Sequence, residues 1–239
     1  MIIMPEILSL CTLIASFIAI LIAVRFFGKS GLFVYTAIAV VASNLQVLKL
    51  TKYEFIDNPI ALGTVIFATV FAVDNILTEY YGAEIATKNV WLSFFGYLFF
   101  AIIMEIAVSH PAVDCADCTN LHEEFSLLLS PSIVLLFSSL ISYAVGQLSD
   151  IFLFATLKRM TRGKYISARA FIAMAASSFL DNCVFSIFAW IIFAKNPVSW
   201  KTLWYTYIFV TYLLRLSVAI LCVPLVKLAG VWIKKRRDV

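Results

Sequence analysis

An all-α, polytopic membrane bundle of about seven transmembrane helices is the fold this sequence predicts, and three observations predict it. Apolar residues make up 63% of the 239-residue chain and charged ones 13%, where soluble domains hold roughly 45–50% and about 25%. Mean hydropathy is +0.98. Uncharged runs close to the about 18–20 residues that cross a bilayer as a helix recur along the whole chain. A soluble fold of this size could not cover so much apolar surface. Disorder, a disulfide-dense secreted module and a free nucleic-acid binder are therefore excluded. A β-barrel would need strands of about ten residues with alternating hydropathy, and the runs here are continuous.

The first run covers 7–24. It has no Lys or Arg ahead of it and no small-residue cleavage site, so it reads as a span and not as a signal peptide. The second covers 31–48, and the third starts near Ile60, meets Asp74 and ends by Gly82. The fourth, 89–109, carries Glu105 near its end, and the fifth runs from Ser132 to about Leu157. The sixth covers 169–194 and the seventh begins at Trp200 and ends near Val226. Trp91, Trp190, Trp200, Trp204 and Trp232 fall near predicted span ends, as an interfacial belt would.

Orientation follows from the loop cations. One side collects thirteen: Arg25, Lys29 and Lys88, then Lys158 to Arg169, then the tail from Lys227 to Arg237. The other side has four (Lys49, Lys52, Lys195 and Lys201), and Arg215 lies within a span. This places the N-terminus outside and the C-terminus in the cytoplasm. The acidic 110–125 loop, which has no Lys or Arg, then lies outside.

The charges inside the spans carry the functional signal. An ionised side chain at mid-bilayer costs about 2.5–3.5 kcal/mol on insertion scales, so each is a functional hypothesis by default. Asp74, Asp150, Asp181 and Arg215 qualify. Counted from the outer ends at about 1.5 Å per residue, Asp74, Asp181 and Arg215 lie roughly 20 Å deep, with Asp150 somewhat deeper. Three acids and one Arg leave a local balance of −2. Either some acids carry protons, or a ligand with cationic or donor-rich groups completes the pairing.

Polar neighbours extend these faces at helical spacing. Thr78, Asn75 and Glu79 accompany Asp74; Ser142, Gly146 and Gln147 precede Asp150; Ser177, Ser178 and Asn182 flank Asp181. On the second span Ser43, Asn44 and Gln46 interrupt an apolar helix. Such residues also serve as interhelical hydrogen-bond glue, and Glu79 and Glu105 lie close enough to span ends to reach the interface. Both readings stand at this point.

The third span ends Asp74-Asn75-Ile76-Leu77-Thr78-Glu79-Tyr80-Tyr81-Gly82; Ser43-Asn44 lies upstream, with Gly146-Gln147-x-x-Asp150 and Ser177-Ser178-x-x-Asp181 downstream. In order and spacing, from about Ala37 to Leu225, this pattern resembles the queuosine precursor transporter family, also called the vitamin uptake transporter family. The resemblance implies a bacterial inner-membrane protein of about six helices that imports 7-deazaguanine bases (preQ0, preQ1 or queuine) for tRNA modification. It implies no enzymatic activity, no catalytic residue, no metal and no cofactor. The helix over 7–27 is then an addition to a core over 31–226, followed by a basic cytoplasmic tail over 227–239, all one integral membrane domain.

A guanine-like edge offers N1–H and an exocyclic amine side by side, and a carboxylate can accept both. Asn44, Asp74, Asn75, Glu79, Gln147, Asp150, Ser178, Asp181, Asn182 and Arg215 form the expected substrate-binding set. Two departures from the family pattern stand out. After the motif glycine this chain has Lys88 in place of paired basic residues, and the last span has Arg215 where a Lys is expected. Arg does not readily lose its proton, which argues against a proton relay there.

The 110–125 loop carries Cys115-Ala116-Asp117-Cys118 with His110 and His122 nearby. A structural disulfide between Cys115 and Cys118 is the simplest reading outside the cytoplasm; zinc or a redox pair are the alternatives. Three other functions compete with a self-sufficient importer. One is an uptake transporter, or the substrate-binding subunit of an energy-coupled machine, for another vitamin-like heterocycle. A second is an intramembrane aspartyl protease, for which no Y-D or G-x-G-D motif is present. A third is a membrane thiol oxidase using Cys115 and Cys118. The expected partners are a purine-like small molecule and the lipid bilayer, with no nucleic acid; a homodimer or a coupling module is left open.

Overall fold

The structure is a computed structural model and describes residues 4–54, 56–111, 113, 116–129 and 133–237. Helix accounts for 85% of it, so the all-α prediction holds with one small exception. In order, the elements are α1 (Pro5–Ile22), continued by a π-helical turn over Ala23–Phe27, and α2 (Lys29–Gln46). An antiparallel hairpin of β1 (Leu50–Tyr53) and β2 (Ile56–Ala61) follows, with Leu50 opposite Ala61 and Tyr53 opposite Ile56. Next come α3 (Thr64–Tyr80), α4 (Ala83–Val108) and α5 (Ala116–Leu129). After these are α6 (Ile133–Met160), and α7 (Ile166–Ile187) with a π-helical end over Phe188–Ile192. The last helix begins as α8 (Trp200–Thr202), loosens into a π-helical segment over Leu203–Phe209 and continues as α9 (Val210–Arg237).

Among the described residues, five helical stretches are long and apolar enough to cross a membrane: Pro5–Phe27, Ala83–Val108, one within Asn120–Met160, Ile166–Ile192 and Trp200–Ile233. The protein is therefore a multi-pass membrane protein. The expected second and third spans do form helices, α2 and α3, but neither meets that standard. With 17 residues, α3 reaches only about 25 Å at 1.5 Å per residue, short of the ~30 Å hydrocarbon core. Its start moves from Ile60 to Thr64 because the chain from Leu50 to Ala61 pairs as the hairpin. What α3 lacks in length it makes up in enclosure. It packs against α1, α2, α4, α6, α7 and α9, and 13 of its residues are buried. A helix enclosed on all sides sits at the centre of the bundle.

The motif glycine ends α3. Tyr81 and Gly82 both donate backbone N–H bonds to the Leu77 carbonyl, at 2.8 and 2.9 Å, and Gly82 sits at φ 99°. Only glycine takes that conformation without steric cost, so the chain reverses directly into α4. The outer faces carry the apolar side chains that lipid covers. On α4, Trp91, Leu92, Phe95, Phe99, Ile102 and Ile106 are all exposed.

Three further differences from the sequence expectations concern segments. Most of the 110–125 loop is the helix α5, whose mixed composition hid it from a search for apolar runs. From Lys227 the chain is still helical: α9 continues to Arg237, burying Ala229 and Ile233. The Cys115–Cys118 disulfide lies outside the described residues; Cys11, Cys183 and Cys222 are free.

Candidate functional site

The hairpin end of the bundle opens into a cavity of about 420 Å³. Its walls come from the end of α2, from β2 and the start of α3, from α6 and α7, and from the π-helical segment and α9. Of the predicted residues, Asn44, Asp181, Asn182 and Arg215 line it. Arg215 Nη1 donates to Asp181 Oδ2 and, at 3.4 Å, to the Ser178 carbonyl. The guanidinium also stacks over the Phe67 ring, 5.3 Å from its centroid. Asp181 and Arg215 are 1% and 9% exposed, so the pair is almost dry. Breaking such a pair from one side leaves an uncompensated buried charge.

The pair is not saturated. Asp181 Oδ1 and Arg215 Nε are buried without a hydrogen-bond partner among the described residues. An acceptor and a donor of the pair thus remain unpaired beside the cavity. The amide nitrogen of each of its two asparagines makes one bond: Asn44 Nδ2 donates to the Val40 carbonyl at 2.9 Å, and Asn182 Nδ2 to that of Ile208 at 2.8 Å. The second bond ties α7 to the π-helical segment. Wide turns of this kind shift side chains off the regular helical register and concentrate at functional sites. Here they bring Trp190 and Tyr207, one from each π-helical stretch, into stacked contact at 4.8 Å between ring centroids. Both line the cavity.

Gly146 brings α6 close to this floor. A Cβ there would come within 2.7 Å of Asp181 Cβ.

The other predicted residues fall in two further places. Asp74, Asn75, Gln147 and Asp150 are 0% exposed and none lines the cavity. Asn89 Nδ2 donates to Asp74 Oδ1 and to Thr36 Oγ1, both at 3.0 Å, and the Ser177 hydroxyl bonds Asp150 Oδ1 at 2.8 Å. Ser178 stands between the two sets, its hydroxyl bonding the Ala175 carbonyl. Glu79 is elsewhere, at the end of the bundle away from the hairpin. Arg169 grips its carboxylate through both terminal nitrogens, at 3.0 and 3.3 Å, and Lys158 Nζ lies 3.1 Å from Oε2. With Arg169 1% exposed and stacked 5.0 Å over Phe154, this cluster fastens α3, α6 and α7 together.

The sequence places Arg169 at the start of the sixth span, among the cations of one side, and Trp190 in an interfacial belt. No sequence signal distinguishes Tyr207 or Phe67 from the other aromatic residues, since stacking depends on how helices meet. The spacing of Arg162, Gly163 and Tyr165, all at positive φ, is the feature that folds the α6–α7 turn back; Arg169 then bonds the Gly163 and Lys164 carbonyls at 3.2 and 2.9 Å.

A multi-pass bundle with a polar-lined cavity at one end and the Glu79–Arg169–Lys158 ion-pair cluster at the other fits a small-molecule membrane transporter. The chain belongs to the family described as "Putative vitamin uptake transporter", which matches residues 61–229. It is also 29% identical over 213 residues to the "Probable queuosine precursor transporter" of Bacillus subtilis (strain 168), covering 88% of each chain. No solved structure matches. The family match begins at Ala61, so Ser43 and Asn44 of the cavity lie outside it.

Proposed function

We propose that the protein imports queuosine precursors, the 7-deazaguanine bases preQ0, preQ1 or queuine, across the bacterial inner membrane. The observation that carries this reading is the half-satisfied Asp181–Arg215 pair at the floor of an aromatic-walled cavity. A 7-deazaguanine edge presents a carbonyl oxygen next to N1–H and an exocyclic amine. Arg215 donates to the first, and Asp181 Oδ1 accepts from the others. Trp190 and Tyr207 offer flat faces for the bicyclic ring. A volume of about 420 Å³ suits a ligand of that size, since small-molecule sites span roughly 300–1,000 Å³.

Asn44, Asn182 and the serines around them complete the substrate site, while Asp74, Asn75, Gln147 and Asp150 sit deeper along the route and Glu79 closes its far end. The loop cations orient the chain with the N-terminus and hairpin outside and the C-terminus in the cytoplasm. The cavity then faces the periplasmic side with the inner end shut. The core over 31–226 performs transport, with α1 packed alongside as an addition.

The test is tRNA queuosine content in a host that lacks precursor synthesis and its own transporter but contains the tRNA-modifying enzymes. Each base is supplied at low concentration, with and without this protein. Rescue by at least one base, lost in Asp181→Asn, is the expected result. No rescue by any base, with the protein verified in the membrane, overturns the reading. Another vitamin-like heterocycle would then be the first candidate, since the family description speaks of vitamins.

A further inference from the structure

Behind the cavity floor lies the second polar cluster, and its hydrogen bonding is incomplete. On α3, Asp74 Oδ2, Thr78 Oγ1 and both amide atoms of Asn75 are buried without a partner among the described residues. The same holds for Asn89 Oδ1 on α4, and for Asp150 Oδ2 and both amide atoms of Gln147 on α6. None of these side chains is more than 3% exposed, and none lines the cavity. A buried polar atom left without a partner is destabilising, so the set calls for an occupant.

The elements agree on one place. Tyr143, Gln147 and Asp150 stand at i, i+4 and i+7 on a single face of α6. Tyr143 is within electrostatic reach of Asp74, and Asp74 of Asp150. Gln147, between Tyr143 and Asp150 on that face, is therefore aimed into the space between the two acids. No cation side chain pairs with either acid among the described residues. The ion pairs among the described residues take up Glu79 and Asp181, not Asp74 or Asp150.

The chemistry of the unpartnered atoms names the class of ligand. Six are oxygens (of Asp74, Asn75, Thr78, Asn89, Gln147 and Asp150) and two are amide nitrogens. Hard cations take oxygen ligands, and ionisable groups inside a membrane mark ion pathways. A divalent ion clamped by both carboxylates would leave slowly, whereas an ion that is carried must bind weakly enough to be released. We infer that this cluster binds a monovalent alkali cation, at a site separate from the substrate cavity.

The path to the cavity is short. Ser177, bonded to Asp150, lies one helical turn before Asp181 on α7, and Gly146 presses on Asp181 from the residue beside Gln147. An ion that fixes Asp150 and Gln147 thereby steadies the Asp181 floor. Coupling to substrate rests on the importer reading; the ion site itself does not.

The experiment is thermal unfolding of the purified full-length protein, without any base, as NaCl replaces choline chloride at constant ionic strength, with KCl, LiCl and CaCl₂ arms. A saturable rise in unfolding temperature with Na⁺ or K⁺ is expected, and the two arms identify the ion. The rise is expected to vanish in Asp150→Asn and in Gln147→Leu. A wild-type protein that melts identically in every monovalent salt, or that responds only to CaCl₂ or only to pH, overturns the inference. The wild-type arms decide the matter even if the variants fail to fold. Adding preQ1 then tests coupling: the ion is expected to lower the half-saturating base concentration about tenfold. An ion response without base binding leaves the ion site standing and removes the substrate reading. Base binding with no ion response does the reverse.

Discussion

At the scale of single residues, the dry Asp181–Arg215 pair is the point where a small change has the largest effect. Removing one partner of a buried pair strands the other, a loss of about 3–5 kcal/mol where the geometry is good. Asp181→Asn is therefore expected to reduce uptake by at least about a hundredfold while the protein still reaches the membrane, as uptake and membrane immunoblots would register. Arg215→Lys keeps the charge and discards the planar fork, so a comparable loss is expected; near-normal uptake in that variant would mean that charge alone suffices. Trp190→Ala removes a stacking face worth about 1–3 kcal/mol for a base. Its half-saturating concentration should rise roughly tenfold with little change in maximal rate. Mid-span charges were legible in the sequence because insertion cost singles them out. Their partners were not. Depth along a helix follows from counting residues, but which faces meet depends on how each helix is rotated. Four charges expected in one place are divided between the cavity floor and the cluster behind it.

At the scale of elements, two close approaches hold the site. The first is α6 against α7 at Gly146. Gly146→Val would drive a branched side chain into Asp181, so both a lower unfolding temperature and lost uptake are expected; wild-type behaviour in both assays would show that the helices are not so closely apposed. The second is the Glu79–Arg169–Lys158 cluster. Glu79→Gln leaves Arg169, 1% exposed, without its carboxylate, and a destabilisation of about 3–5 kcal/mol is expected, read as a fall in the unfolding midpoint. The long apolar runs gave away their helices at once, since a 3.6-residue period is not needed when all sides are greasy. By contrast α5, with Asp117, His122, Glu123 and Glu124, is too polar to register as a span. The β1–β2 hairpin has no tight Asn-Gly or Asp-Gly turn to announce it, and Pro59 argues against a strand. The three π-helical stretches leave no trace in hydropathy.

At the scale of the whole molecule, the account is a carrier with its cavity open at the hairpin end and its opposite end ion-paired shut. The positive-inside assignment makes a direct forecast. A cysteine placed at Thr51 in the hairpin should react with a membrane-impermeant maleimide in intact cells, and one placed at Lys164 only after permeabilisation; the opposite pattern would invert the topology. Composition alone was enough for the membrane class, and the order of polar motifs for the family. What the sequence withheld was the separation between the Asp181–Arg215 pair at the cavity and the buried Asp74 and Asp150, which do not line it.

Equilibrium binding of preQ0, preQ1 and queuine to the purified protein, in wild-type and Asp181→Asn forms, by calorimetry, asks whether the Asp181–Arg215 pair holds the base. The account predicts saturable one-site binding of at least one base to the wild type, and its loss in the variant under conditions where both are folded. Equal affinity in the two proteins would contradict the assignment of the Asp181–Arg215 floor, and binding of none of the three would contradict the substrate class.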